Sequence, residues 1–247
     1  MPRSRAQPAT PVRNGRPYIF RLLRAALLLG LGSGLLAARG WAQAPARTLD
    51  QVLTAIDLAA PQVRGVEAAA ESQKYTKVVD DLSTESGTLD YRKQKRGPQL
   101  LLTLRKPAVK VFLYRDETAW IYQPAIAQVQ KYNLRKNHAL VEQFLLLGLG
   151  GSGHALERSF HVRLVGAETL AGRGTVHLQL TPLAGQRGLS SIDLWYDTQL
   201  WIAIQQKFLQ SSGDYQQLRY SQIKINPHIS EELFEPHFNG AQVIEPR

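Results

Sequence analysis

The hexapeptide Gly148-Leu149-Gly150-Gly151-Ser152-Gly153 fits G-x-G-x-x-G, the spacing that lets a backbone approach a pyrophosphate at the start of a helix. That chemistry requires a strand before the glycines and a helix after them, inside a βαβ unit. Here a helical pattern precedes and alternating patterns follow, so the hexapeptide reads as a connector. Four glycines in six residues predict a pliable one. The six histidines, His138, His154, His161, His177, His228 and His237, include no H-x-x-x-H pair, and without cysteine no thiolate completes a zinc site. They read as solvated or locally bonded side chains. No G-x-S-x-G elbow occurs. Asp80, Asp81 and Glu85 cluster in a polar stretch where solvation explains them, and no carboxylate pair is spaced to divide acid and base roles. No catalytic residue, metal ligand or cofactor is assigned, and the chain is read as a non-enzyme.

The elements that surround these residues are mostly strands. Thr48 is a potential N-cap before Leu49, Val52, Leu53, Ile56 and Ala60, whose spacing predicts one amphipathic helix ending near Pro61. From Val66 the period changes. Short alternating or β-branched runs follow at Val66–Val79, Thr88–Lys95, Gln99–Arg105, Val109–Tyr114, Trp120–Tyr122 and Val129–Tyr132. Spacing this close leaves no room for crossover helices and predicts antiparallel pairing. Asp80–Gly87 is expected to be the first hairpin turn. A second helix is expected at His138–Leu147, where Leu140, Val141, Phe144 and Leu147 share a face and Gly148 offers a stop. Strands resume at Phe160–Val165, Thr175–Thr181, Ser190–Tyr196, Leu200–Phe208 and Asp214–Ile225, giving ten or eleven in all. Leu233-Phe234-Glu235-Pro236 reads as a last edge strand or a docked tail.

The strands carry apolar residues on two faces. Leu100, Leu102 and Leu104 share one side and Leu101 the other; Val109, Val111 and Leu113 oppose Phe112 and Tyr114; Trp120 and Tyr122 oppose Ile121. An antiparallel sheet over one core needs a single apolar face. One explanation is a closed barrel or sandwich with some exposed aromatics. The other is a curved sheet around an apolar chamber, closed by the two helices, with the glycine-hinged second helix as its lid.

Composition limits the function classes. With 247 residues, 44% of them hydrophobic, the chain has material for one substantial core and is not a disordered protein. The charge of +10 resembles that of a nucleic-acid binder. Seven of the thirty basic residues, however, lie before Ala44 with no acid among them, leaving 23 basic against 20 acidic residues. That is an ordinary surface, and no nucleic-acid partner is expected. The N-terminal stretch has the three parts of a secretory signal: arginines up to Arg24, an apolar run Ala25–Ala38, and small residues around Trp41-Ala42-Gln43-Ala44. The run is shorter than the roughly 20 apolar residues a spanning helix needs. Cleavage is expected after Ala42, leaving a single domain over residues 43–247, exported and monomeric. With no cysteine there is no lipid-modified N-terminal Cys.

Three stretches, in order, resemble the periplasmic outer-membrane lipoprotein carrier family of the LolA type. Lys95-Arg96-Gly97-Pro98 before the Leu100–Leu104 strand is similar to the family's basic-residue-Pro turn. Asp116-Glu117-Thr118-Ala119-Trp120-Ile121-Tyr122-Gln123-Pro124 is similar to its Asp-Gly, apolar pair, Tyr-x-Pro pattern, with Glu117 where Gly is usual. Ile192-Asp193-Leu194-Trp195-Tyr196-Asp197, with Trp201–Lys207 and the turn Ser212-Gly213-Asp214-Tyr215, is similar to its late hairpin. The likeness runs from about Thr48 to Pro236. It implies a mainly β, α+β fold, a curved antiparallel half-barrel with helices on its concave face. It also implies a chaperone that shields acyl chains of lipoproteins and moves them from the inner to the outer membrane. The partners implied are acylated lipoproteins, an inner-membrane lipoprotein-releasing transporter and an outer-membrane acceptor. Arg96 matches the family's loop arginine associated with cargo. The candidate lipid-binding set is Arg96, Leu100, Leu101, Leu102, Leu104, Val111, Leu113, Trp120, Tyr122, Leu140, Val141, Phe144 and Leu147. A carrier or sensor for another lipid or glycolipid, and a lipid-ester hydrolase, are the alternatives.

Overall fold

The computed structural model describes residues 47–135, 147–183, 188–238 and 240–245. Thr48 begins the first element as the spacing predicts: its Oγ1 accepts from Gln51 N at 3.3 Å, while Gln51 Oε1 accepts from Thr48 N at 3.0 Å. This reciprocal cap satisfies two otherwise orphaned donors of helix α1, Leu49–Ala59. Its buried stripe is Val52, Leu53 and Ile56, each at most 1% exposed. Burying each is worth about 1.5–3 kcal/mol.

The rest is built on strands β1 (Gly65–Thr76), β2 (Asp81–Gln94), β3 (Gly97–Lys106), β4 (Lys110–Arg115), β5 (Thr118–Gln123), β6 (Gln128–Asn133), β7 (Phe160–Leu170), β8 (Arg173–Pro182), β9 (Leu189–Asp197), β10 (Ala203–Gln210), β11 (Tyr215–Ile225) and β12 (Gln242–Ile244). They form one open, curved sheet in the order β12-β6-β5-β4-β3-β2-β1-β11-β10-β9-β8-β7. Neighbours are antiparallel except β12, which lies parallel to β6. The curved half-barrel that the resemblance implies is therefore present, with twelve strands where ten or eleven were expected; β12 is too short to leave a pattern in the sequence.

Two boundaries differ from the sequence reading. Asp80–Gly87 is not the first turn. The chain reverses at Lys77–Asp80, with Asp80 at φ 48°, and β2 already starts at Asp81, paired with Thr76. This end of the ribbon is exposed, Val78 at 89% and Leu82 at 53%, so no buried face imposed an alternation that could have been read. At the other margin, Trp201 sits in the left-handed region at φ 51°, and β10 begins only at Ala203.

Register assigns every strand a face. Ile192, Leu194 and Tyr196 of β9 lie with Val176, Leu178 and Leu180 of β8, and α1 covers them together with Phe160 and Leu147. On the same side of β1–β4 and β11, Val66, Ala68, Ala70, Leu89, Tyr91, Leu100, Leu102, Leu104, Tyr114 and Tyr220 form a second cluster, into which Val63, Leu149 and Ile202 insert. A third, small cluster occupies the opposite face: Leu101 and Leu113 under Phe234.

Candidate functional site

The face that carries Leu100, Leu102 and Leu104 is the inner one. Leu102 pairs with Leu89 on one side and with Phe112 on the other, and Phe112 pairs with Ile121. A continuous apolar surface thus crosses β2 to β5 with α1 lying over other strands. Leu134, Leu200, Leu149 and Ile202, contributed by connecting segments, pack against it.

The candidate residues do not form one site. Leu100, Leu102 and Leu104 lie on the inner face, whereas Leu101, Val111, Leu113, Trp120 and Tyr122 lie on the outer face. There the chain's own C-terminal segment covers them: Phe234 is fully buried against Leu101 and Leu113, and Phe238 meets Tyr122 at 5.3 Å and Trp120 at 6.5 Å between ring centres. Two arginines hold that segment. Arg92 donates to Ile229 O and pairs with Glu231, and Arg115 donates to Phe234 O and to Glu235 Oε1 at 2.6 Å. Leu233–Pro236 is accordingly a docked tail and not an edge strand. The outer-face half of the candidate set is thus roofed by this segment, with a cavity of about 290 Å³ left between Leu101, Val111, Leu113 and Tyr122 and the tail at Phe238; strand alternation alone could not tell the two faces apart. Arg96 is exposed in the turn between β2 and β3 and makes no hydrogen bond among the described residues. Leu140, Val141 and Phe144 lie outside the described residues. Leu147 is 1% exposed and belongs to the core under α1, apart from the cluster that holds Leu100, Leu102 and Leu104.

The glycine connector is fixed in place rather than pliable. Gly148 O accepts from Ala203 N at 2.7 Å, and Gln206 Nε2 donates to Leu147 O at 2.7 Å. A Cβ on Gly148 would lie 2.2 Å from that of Ala203, and one on Gly153 would lie 2.5 Å from Leu53 O. At these two positions glycine allows close approach to β10 and α1. Asp57 on α1 completes the staple: its Oδ1 accepts from Ser152 Oγ and Gly153 N, each at 2.6 Å, and its Oδ2 takes the Nδ1 of His154. Helix α1 is therefore a fixed wall over one half of the inner face.

Titration of this staple has a definite sign. Hydrogen bonding to Asp57, then Asp50, holds His154 above its ordinary 6.5. Burial pushes the Asp57 carboxyl up, but its bonds from Ser152, His154 and the backbone N–H groups outweigh this and leave it below 3.8. The histidine contribution is complete below pH 6.5 and is lost as pH rises through its raised value; the aspartate contribution is complete above 3.8 and is lost as pH falls through its lowered value. The unfolding midpoint difference between the parent and His154→Ala should be widest between these two pH values and shrink as the pH is raised above 6.5 through the histidine's raised value. A constant difference across that range would remove the titration from the account.

His154 and His177 are both locally bonded, as read from the sequence. His177 contacts Glu168 Oε1 at 2.9 Å and Asp193 Oδ1 at 2.8 Å and stacks on Trp195 at 4.3 Å, on the outer face of β8 and β9.

No protein-family model matches the chain, and no curated protein matches its sequence. Solved structures do. An uncharacterised conserved protein from Thermus thermophilus matches with a TM-score of 0.53 at 12% identity, covering 81% of this chain and 100% of that one. MucB matches with a TM-score of 0.51 at 17% identity, over 79% of this chain and 65% of the MucB chain. A LolA superfamily protein from Nitrosomonas europaea is also found, at a TM-score of 0.38 and 13% identity, over 77% and 99%. The chain therefore shares its fold with the Thermus thermophilus protein and with MucB. At such identities the likeness concerns fold alone, and the chain spans just under two thirds of the MucB chain. No helix among the described residues is long and apolar enough to cross a membrane.

Proposed function

We propose that this protein is a carrier that shields lipoprotein acyl chains on the inner face of β1–β5 and conveys them across the periplasm from the inner to the outer membrane. In this reading residues 1–42 are a cleaved export signal. An inner-membrane lipoprotein-releasing transporter loads the carrier, and an outer-membrane acceptor unloads it. The observation that carries the reading is the apolar surface of Leu89, Leu100, Leu102, Phe112 and Ile121, which belongs to an open sheet and is packed by connecting segments, not by a second sheet.

Each methylene exposed to water costs about 0.8 kcal/mol, so an acyl chain that leaves a membrane needs an apolar surface of this kind in the membrane's place. The contacts it replaces, those of Leu134, Leu200 and Ile202, are themselves apolar. Exchanging one apolar partner for another keeps the net affinity low enough for delivery.

Binding of a synthetic triacylated lipopeptide, read by native mass spectrometry, tests this. The parent should bind it, and Phe112→Glu, on the half-buried inner face, should weaken binding at least about a hundredfold, since an unpaired carboxylate costs several kcal/mol beside hydrocarbon. Val111→Glu, one residue along, points to the outer face and should bind like the parent. Equal retention in both variants, or no binding by the parent, would sink the proposal. A different lipid retained from the periplasm would redirect it to the glycolipid alternative.

A further inference from the structure

Strands β10 and β11 pair only from Gln205 opposite Arg219 to Leu209 opposite Tyr215. Beyond Arg219, β11 continues along β1 as far as Ile225 without β10 beside it. Irregularities flank the parting on each side: β10 is bulged between Ala203 and Gln205, and Gln222 of β11 lies at φ 52°. Bulges of this kind bend strands away from their partners. The tip of the β7–β8 hairpin roofs the gap, and the enclosed space is about 440 Å³, within the range of small-ligand sites. Register puts Arg219 and Ser221 on the outer face, opposite Glu71 and Ala69, whereas Tyr220 and Ile223 belong with the inner cluster. The lining thus draws on both faces of β11.

Its walls are apolar at Leu170, Ile204, Tyr220 and Ile223 and polar at Gln205, Ser221 and Gln222, its charges are the guanidiniums of Arg173 and Arg219, and no carboxylate lines it. Asp197, behind the lining, holds Arg173 Nε, and Gln205 Oε1 accepts from Arg219 Nε at 2.9 Å. Glu71, across from Arg219 on β1, accepts from Gln73 Nε2 and makes no hydrogen bond to Arg219. The Asp197 and Gln205 bonds orient the guanidiniums through Nε, while their Nη atoms form no hydrogen bond among the described residues. A planar fork held in this way suits a two-oxygen anion. We infer that the gap binds a single-chain anionic amphiphile of the fatty-carboxylate class, its tail between β10 and β11 and its carboxylate at Arg173 and Arg219. This site is separate from the inner face of β2–β5 and does not depend on the carrier reading.

Calorimetric titration of the full chain with decanoate, and with decanol as the uncharged probe, tests the inference. Decanoate should bind saturably at one equivalent and at least about tenfold more tightly than decanol. Arg219→Gln should weaken decanoate about tenfold and leave decanol unchanged. Ser221→Trp, which fills the exposed outer mouth, should abolish binding of both. Absent decanoate binding in the parent, or binding unaltered by both variants, would overturn the inference. Phe112→Glu separates the two sites: it should lose the triacylated lipopeptide and keep decanoate. Loss of decanoate there, with Arg219→Gln and Ser221→Trp unaffected, would place the fatty acid on the inner face and overturn only the present inference.

Discussion

Gly87→Ala is expected to destabilise the protein by at least about 3 kcal/mol, the upper end of the usual cost of overpacking. A Cβ at this position would lie 1.8 Å from the carbonyl oxygen of Thr103 and 2.7 Å from its carbonyl carbon. The obstacle is backbone in β3, which cannot rotate aside as a side chain can. Gly87 sits where the register between β2 and β3 shifts, opposite Leu104, whose side chain is 1% exposed in the inner cluster. Relief would require β2 and β3 to separate at the centre of the sheet. The smaller conformational entropy of an unfolded chain with alanine returns only about 0.4–1 kcal/mol. Urea unfolding of the two proteins side by side measures the difference, and equal midpoints would show that β3 shifts without cost.

The second large effect is expected at Phe234. Phe234→Ala should cost about 3–5 kcal/mol, because a fully buried ring leaves a void between the tail and the outer face. Arg92 and Arg115 hold the backbone around it, but their partners Glu231 and Glu235 are largely exposed, and such ion pairs contribute at most about 1 kcal/mol each. The ring is therefore the main attachment. Its loss should uncover Leu101, Leu113 and Trp120 and make the segment after Asn226 a substrate for limited proteolysis while β1–β11 stay folded. Thermal unfolding should begin about 6–20 °C lower, given some 2–4 °C per kcal/mol for a domain of this size. Tail cleavage at the parent rate would show that the arginines suffice.

Much of the scaffold was legible because it rests on local patterns. The N-cap at Thr48 and the stripe Val52, Leu53, Ile56 lie close together in the chain, although the reciprocal bond from Gln51 was seen only in the structure. The alternation of Leu100, Leu102 and Leu104 against Leu101 follows from the pleat. The start of β2 at Asp81 was not legible, since Asp81–Thr84 is exposed and nothing selected an apolar face. Nor was the role of the glycine segment. Glycine enrichment is the signature of freedom and of close approach alike, and only the positions of Ala203 and Leu53 distinguish the two.

The candidate site shows the same division. Alternation separates Val111, Leu113, Trp120 and Tyr122 from Phe112, Tyr114 and Ile121 without naming the side on which each set falls. That depends on a segment more than a hundred residues later, whose Phe234 and Phe238 dock on the first set. The gap between β10 and β11 likewise arises from the different lengths over which β11 pairs with its two neighbours. Strand identity, helix capping and the two-faced apolar pattern were thus settled by the sequence, because they follow from interactions among residues near one another in the chain. Which face is free, which glycines are pinned and where the sheet parts were decided by the tertiary structure, because burial belongs to surfaces that distant segments make together.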